Sequence, residues 1–198
     1  VKRRGDPSCP RGGDSDGHYF NGSLLYPTTL SPEEESPQMP YPTAAKAGCG
    51  LACLCILGES LGGEKLSMAK CVELSVAYVA NRDGTDMQKL DPVMAERWAL
   101  DYRESSDPVE LCQCLGSGGM AILNAGRPHG LFSEGGHFLL ATAERDGMLW
   151  ILDPSYSKEK YAASHRIDAV RIEYPYVVAS LADVARETQN RSPSYYLF

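Results

Sequence analysis

Residues 135–153 read GGHFLLATAERDGMLWILD, and this stretch decides how the second half of the chain folds. Two apolar runs, 137–144 and 148–153, flank Arg145-Asp146-Gly147, which is a pattern typical of a β-hairpin. His137 opens the first strand and Asp153 closes the second. A carboxylate at the end of an apolar strand needs a polar partner, and His137 would supply one.

The register of this hairpin determines whether His137 and Asp153 share a face. Side chains alternate between the two faces along a strand, and directly opposed residues share a face. His137 and Asp153 therefore share a face only if the residue numbers of each opposed pair in the hairpin add up to an even number. A two-residue turn at Asp146-Gly147 would oppose residues 145 and 148 and separate them. We therefore predict a three-residue loop, 145–147, with a bulge and with Gly147 as its left-handed residue.

Further strands and one helix are predicted around the hairpin. The short apolar patterns of residues 120–124, 169–173 and 176–179 are typical of strands. Residues 180–189 have the pattern of a capped helix, with Asp183 and Glu187 expected to face outward. The second half of the chain is therefore predicted to be mainly sheet.

The segment before the hairpin has helical periodicity instead. Helices are predicted over residues 49–57, 67–80, 86–99 and 107–115, with polar residues suited to N-caps before several of them. The first of these is apolar almost all round, which indicates a buried helix. Helices first and strands later favour an α+β fold, with an N-terminal helical lobe packed on a C-terminal antiparallel sheet.

The first 42 residues differ in composition from the rest of the chain. They hold seven of its thirteen prolines, and proline interrupts regular helix and central strand. We therefore divide the chain into an irregular, proline-rich N-terminal arm over 1–42 and one domain over 43–198. No signal peptide is recognisable, and the sequence leaves the compartment and the oligomeric state open.

The overall charge and hydropathy exclude two classes of partner. The 198 residues carry a formal net charge of −7 at pH 7, whereas a nucleic-acid-binding protein needs a basic face. The longest uninterrupted apolar run, 51–57, is far shorter than the ~20 residues that cross a bilayer as a helix. We therefore expect no nucleic-acid partner and no membrane span.

Seven cysteines leave at least one thiol unpaired in a monomer. Cys49 differs from the others because it lies between Gly48 and Gly50 at the start of the apolar helix, where free N–H groups and the helix dipole favour a thiolate. None of the cysteines has the spacing of a zinc site, so we expect no metal and no cofactor. The remaining cysteines are interpreted as small core residues, apart from the one in the arm; they lie at positions 9, 53, 55, 71, 112 and 114.

A thiol nucleophile needs a base and a polar group that orients the base. Of the four histidines, His137 is the best candidate because it follows Gly135-Gly136 and can face an open cleft. The other three fall in loops or in the arm, at positions 18, 129 and 165. The sequence thus predicts Cys49 as nucleophile, His137 as general base and Asp153 as the group that orients it.

The motifs AGCG around Cys49, GGHF around His137 and LDPSYS around Asp153 occur in the order Cys, His, Asp. Over roughly residues 18–198 the chain resembles the papain-like cysteine peptidases of the bacteriocin-processing (double-glycine leader) type, in particular their stand-alone bacterial relatives. The resemblance implies a papain-like fold, a peptide or protein substrate and an upstream glutamine that donates to the oxyanion. No glutamine directly precedes Cys49, so Asn21 is the expected donor and Gln38 the second choice, beside the backbone N–H of Cys49.

Three functions are compatible with these residues. The first is a thiol peptidase or amidase that cleaves a peptide amide through an acyl-enzyme. The second is a catalytically impaired papain-like protein that binds peptides, which the altered oxyanion donor favours. The third is a Cys-dependent acyltransferase or cell-wall amidase with the same residues and a different acceptor or substrate.

Overall fold

The computed structural model describes residues 48–80, 84–126 and 129–198. Within these residues the chain forms six helices and one seven-stranded antiparallel sheet, so the predicted α+β class is confirmed. The N-terminal arm lies outside the described residues, together with the boundary near residue 42. The predictions for Asn21 and Gln38 lie outside them too.

Four helices form before the hairpin, close to the predicted positions. They are α1 Cys49–Ser60, α2 Met68–Ala77, α3 Met87–Trp98 and α4 Pro108–Gly116. Side chains cap the last three of them, because Ser67, Asp86 and Asp107 each accept a hydrogen bond from a backbone N–H of the first turn. Helix α1 differs, since Gly48 offers no side chain to cap it.

The second half forms the sheet and two short helices. The strands are β1 Arg103–Ser105, β2 Ala121–Ala125, β3 His137–Arg145, β4 Met148–Leu152, β5 Val170–Glu173, β6 Tyr176–Ser180 and β7 Tyr195–Leu197, and the helices are α5 Lys158–Ala162 and α6 Leu181–Thr188. The strand order is β1-β7-β2-β3-β4-β6-β5, and every neighbouring pair is antiparallel. The sequence pattern does not predict β1, α5 or β7.

The sheet forms the middle layer between two apolar cores. On one face, Leu140 and Leu152 pack with buried residues of α1, α2 and α3. On the other face, Leu139 and Ile151 pack with buried residues of α4 and α6. Helix α1 therefore lies directly against β3, the strand that begins with His137.

The predicted loop of the central hairpin is wrong, and the bulge lies in a strand instead of at the loop. Arg145 pairs with Met148, so the turn has two residues, and Asp146 and Gly147 have φ values of 53° and 77°. Positive φ at both residues is what a type I′ turn requires. The bulge lies inside β3, between Ala141 and Ala143, and it shifts the register so that Ala141 opposes Ile151. The sum of opposed numbers becomes even beyond the bulge, which places His137 and Asp153 on one face.

The outward orientation expected for Glu187 is also wrong. This residue of α6 is only 2% exposed, and its Oε2 accepts a hydrogen bond from the backbone N–H of Leu131 at 3.1 Å. The loop between β2 and β3 contains N–H groups that no strand pairs, and Glu187 satisfies one of them. Helical periodicity alone gives no information about such a distant acceptor.

The cysteines of the described residues are free thiols with different surroundings. Cys53, Cys55, Cys71 and Cys114 are buried, as expected for core residues, whereas Cys112 is only partly buried. The Sγ atoms of Cys55 and Cys71 lie 3.2 Å apart, where α1 packs on α2. Cys49 is partly exposed at the start of α1.

A buried carboxyl group in α3 leads to a prediction about stability. Asp91 is 0% exposed, and within the described part of the chain neither of its oxygens has a hydrogen-bond partner. Burial raises its pKa well above the usual range, so the folded state holds a proton that the unfolded chain releases. Stability should therefore fall as pH rises from about 4, by up to about 1.4 kcal/mol per pH unit, until the pKa of the folded state is passed.

Asp91→Asn should remove this part of the pH dependence, as measured by urea unfolding at pH 5, 7 and 9. Asp101→Asn is the matched control, because Asp101 is exposed. Equal slopes of unfolding free energy against pH in the wild type and Asp91→Asn would contradict the prediction.

Candidate active site

The structure brings Cys49, His137 and Asp153 into one chain of contacts. His137 Nε2 lies 2.7 Å from Asp153 Oδ1, and both side chains are buried. Cys49 lies close enough to His137 for each side chain to shift the pKa of the other. Because Nε2 is directed at Asp153, the ring nitrogen left for Cys49 is Nδ1. The residues predicted as nucleophile, base and orienting group thus meet in that order.

Close packing of α1 on β3 places Cys49 beside His137. A Cβ at Gly50 would lie 2.6 Å from Met87 Sδ and 3.2 Å from Phe138 Cδ2, so a larger residue at the second position of α1 would displace these side chains. The first turn of α1 therefore lies against the strand that carries the imidazole. That turn has no side-chain cap, and the backbone N–H of Gly50 acts on the thiol of Cys49.

The carboxylate of Asp153 is held by more groups than the sequence analysis found. Its Oδ2 accepts hydrogen bonds from Lys160 Nζ and Tyr161 OH, each at 2.6 Å. Its Oδ1 accepts from the backbone N–H of Ser155 at 2.8 Å, and the Ser155 hydroxyl lies 3.1 Å from both that oxygen and His137 Nε2. Lys160 Nζ also donates to Ser155 Oγ at 2.8 Å. The side chain of Asp153 is 0% exposed, and these donors replace the water that it has lost.

These additional residues come from the segment directly after β4. Ser157 caps α5 by accepting from the N–H of Lys160 at 3.0 Å, and this short helix turns Lys160 and Tyr161 back towards Asp153. The sequence SYSKEKY contained one usable signal, a serine at a cap position before charged residues. Periodicity could not detect a helix of five residues.

Electrostatics in the site favour a charged Cys–His pair. Burial alone would raise the pKa of Asp153, but the neighbouring charges of His137 and Lys160 hold it below its usual range. Burial alone would lower the pKa of His137, but Asp153 and Cys49 raise it to about 9. The pKa of Cys49 is lowered, because the hydrogen bond and charge of His137, with backbone N–H groups of Phe138 and Gly50, outweigh desolvation. A thiolate beside an imidazolium is therefore the favoured state.

Side chains from the segment after α5 and from α6 hold the loop before His137 at Gly130, Leu131 and Glu134. Arg166 is 7% exposed and donates to the carbonyl oxygens of Gly130 at 2.9 Å and Lys160 at 3.2 Å. It also pairs with Glu134 at 2.9 Å, and so it joins the loop to α5. With Glu187 bound to Leu131, these contacts restrain the backbone that leads into β3.

The remaining histidines of the described residues lie away from the candidate site. His129 is exposed, and His165 lies 3.6 Å from Glu134 on the surface. Among the residues that the structure describes, no group of three or more His, Cys, Asp or Glu side chains is arranged to hold a metal ion. In the same residues, no helix combines the length and apolar character needed to cross a bilayer. Of the predicted oxyanion donors, only the backbone N–H of Cys49 lies in the described part.

The lowered pKa of Cys49 predicts selective alkylation. At pH 6, iodoacetamide should modify Cys49 at least tenfold faster than Cys112, the other partly exposed thiol of the described residues, because burial raises the pKa of Cys112. His137→Ala should remove this advantage. Peptide mapping by mass spectrometry gives the rate for each thiol, and similar rates at both cysteines in the wild type would contradict the prediction.

The ion pair between Lys160 and Asp153 predicts a large effect on stability. Lys160→Met should lower the free energy of unfolding at pH 7 by about 3 kcal/mol, because it leaves a buried carboxylate without its cation. Lys158→Met, at an exposed lysine of the same helix, is the control and should change stability by less than about 0.5 kcal/mol. Equal effects of the two substitutions in urea unfolding would show that the pair does not matter.

Compared with models of known protein families and with curated proteins, the chain matches none. The chemistry attributed to the site therefore depends on the geometry of its own residues.

Proposed function

We propose that the protein is a cysteine peptidase or amidase that cleaves a peptide amide through an acyl-enzyme. The observation that supports this function most directly is the buried hydrogen bond between His137 and Asp153 next to the partly exposed Cys49, where the pKa of the thiol is lowered and that of the imidazole is raised. A thiol that served only the core would be buried without a base. A metal or cofactor is not required by this chemistry.

In the proposed reaction the Cys49 thiolate attacks the carbonyl carbon of the substrate, and a C–S bond forms. The carbonyl oxygen becomes an oxyanion that accepts a hydrogen bond from the N–H of Cys49. The imidazolium of His137 gives its proton to the departing amine as the C–N bond breaks, which leaves a thioester. Water then attacks the thioester, His137 takes the proton of that water, and release of the acid regenerates the thiolate. Asp153 keeps the ring oriented throughout.

We also propose that the fold is papain-like. The supporting features are a helical lobe with the nucleophile at the N-terminus of its buried helix α1 and an antiparallel sheet that carries His137 and Asp153. A side-chain donor to the oxyanion belongs to this proposal, with Asn21 as the first candidate and Gln38 as the second. Removal of such a donor typically costs about 2.7–4 kcal/mol of transition-state stabilisation.

The alternatives differ in what happens at the thiol. A protein that only binds peptides has no need of an activated thiolate, so the shifted pKa values of Cys49 and His137 favour catalysis. An acyltransferase or cell-wall amidase would share every step up to the thioester. It would differ only in the acceptor or in the peptide that enters the cleft.

The decisive experiment is cleavage of a peptide library derived from a whole proteome, read by mass spectrometry as new peptide ends. Cys49→Ala and His137→Ala should each lower cleavage at least 1,000-fold, since each removes a member of the reacting pair. Cys112→Ala should cleave as the wild type does. If the wild type alkylates selectively at Cys49 and yet cuts no peptide, binding without hydrolysis becomes the better proposal. Transfer to an added amine, seen as a mass increment, would identify an acyltransferase.

The pH profile of cleavage should follow the charged pair. The rate should fall as pH rises through about 9, because the imidazolium that protonates the leaving amine loses its proton there. Asp153→Asn removes a charge that raises the pKa of His137, so this alkaline limb should move to lower pH as activity decreases. An unchanged alkaline limb in Asp153→Asn would mean that Asp153 does not set the protonation of His137.

A further inference from the structure

A second cationic side chain lies next to the candidate site. If Gly136 had a Cβ atom, that atom would lie only 2.7 Å from Arg191 Nη2. Gly136 directly precedes His137 in the sequence. Consecutive Cα atoms are about 3.8 Å apart, so this nitrogen lies within about 8 Å of the His137 Cα. The absence of a side chain at Gly136 is what allows the guanidinium to lie against this backbone.

The turn that carries Arg191 is held in position by its neighbours. The N–H of Arg191 donates to the carbonyl oxygen of Thr188 at 3.0 Å, and Ser194 Oγ donates to the carbonyl oxygen of Arg191 at 3.1 Å. The side-chain amide of Asn190 covers Gly126, at the end of β2 where Ala125 pairs with His137. The guanidinium is therefore placed at the edge of the sheet where the imidazole lies.

Arg191 has no acidic partner in the part of the chain that the structure describes. Its Nε is buried without a hydrogen-bond partner. Other arginines are paired, and these are Arg97 with Glu64, Arg166 with Glu134, Arg171 with Glu173 and Arg186 with Asp183. The side chain as a whole is only half-buried, so its charge, which no carboxylate of the described residues neutralises, is available to an anionic ligand. A guanidinium is best matched by a carboxylate, which it can bind through two parallel hydrogen bonds.

We propose that Arg191 is a specificity-determining residue that binds a carboxylate of the substrate. The carboxylate is either an Asp or Glu side chain or the free C-terminus of a peptide, located within one to three residues of the scissile bond. This inference rests on the proposed function, because it assumes that a peptide carbonyl reacts at Cys49. The proposed substrates are peptides with a negative charge close to the cleaved bond, although the protein itself is acidic.

The test uses alkylating peptides in place of the unidentified substrate. Three bromoacetyl-Gly peptides are compared. The first ends in an amidated Glu and has a side-chain carboxylate, the second ends in an amidated Gln and is neutral, and the third ends in Gln with a free C-terminal carboxylate. A second set of the same three peptides has one more glycine as a spacer. The Cys49 thiolate displaces bromide, so the C–S bond forms as the C–Br bond breaks. At the spacing that fits, the Glu or the free-carboxylate peptide should react with Cys49 on the order of tenfold faster than its neutral counterpart. The favoured peptide identifies the source of the carboxylate.

Substitutions connect this preference to Arg191. Arg191→Gln should make the three peptides react equally, and Arg191→Lys should keep only part of the preference, because lysine retains the charge without the two-pronged geometry. Arg186→Gln is the matched control, since it removes an arginine that already pairs with Asp183 on the same helix–turn segment, and it should keep the full preference. The preference should also weaken in 0.5 M salt.

Iodoacetamide separates failure of this inference from failure of the proposed function. If iodoacetamide shows no selective reaction at Cys49, the proposed function fails whatever the peptides show. If iodoacetamide reacts selectively in both the wild type and Arg191→Gln, but the wild type does not distinguish the peptides at either spacing, the role of Arg191 is overturned and the thiol chemistry stands. Loss of the iodoacetamide reaction in both Arg191 variants would indicate a purely structural role and would also overturn the inference.

Discussion

The buried carboxylate of Asp153 is the group on which the rest of the site depends. An isolated charge with no exposure to water would cost several kcal/mol, so the chain around it must supply donors. It does so from three directions, through His137 on β3, Ser155 in the turn after β4, and Lys160 with Tyr161 on α5. The short helix begins at its Ser157 cap, and Tyr161 both packs in the core and donates to the carboxylate, so the carboxylate helps to hold this segment in place. The electrostatic requirement of one residue thus shapes the chain from the end of β4 to Tyr161.

The same requirement extends into the sheet through the register of the hairpin. The dipeptide Asp146-Gly147 strongly favours a two-residue type I′ turn, which by itself would put His137 and Asp153 on opposite faces. The bulge at Thr142 resolves this conflict between the turn and the site. The sequence pattern shows that the register must shift once for the two residues to share a face, and it favours the loop as the place of that shift. It could not place the bulge in β3, because ATAER contains no glycine or proline that marks one.

Elements determined by local patterns could be predicted, whereas those determined by distant pairing could not. Ser67, Asp86 and Asp107 cap their own helices, and the capped helices lie within a few residues of the predicted bounds. Strand β1 has only three residues, and it pairs with β7 more than ninety positions along the chain, as in Arg103 with Leu197. The outward prediction for Glu187 fails because its role depends on Leu131, which lies 56 residues away in the sequence. In the same way, Cys49, His137 and Asp153 could be predicted because each lies in a recognisable short sequence motif. No such motif marks Lys160, Tyr161 or Arg191, which come near the site only when the chain folds.

The missing N-cap of α1 affects both the stability of this helix and the proposed chemistry at Cys49. Every other helix of the described residues has a serine or aspartate whose side chain accepts a first-turn N–H, and these residues are Ser67, Asp86, Asp107, Ser157 and Ser180. Helix α1 has Gly48 at this position and no such acceptor, which typically leaves a helix only a few tenths of a kcal/mol less stable than a serine or aspartate cap would. Of the N–H groups in this turn, that of Gly50 lowers the pKa of Cys49, and that of Cys49 would bind an oxyanion. A capping side chain would compete for the same donors, so the missing cap and the activated thiol are consequences of one arrangement.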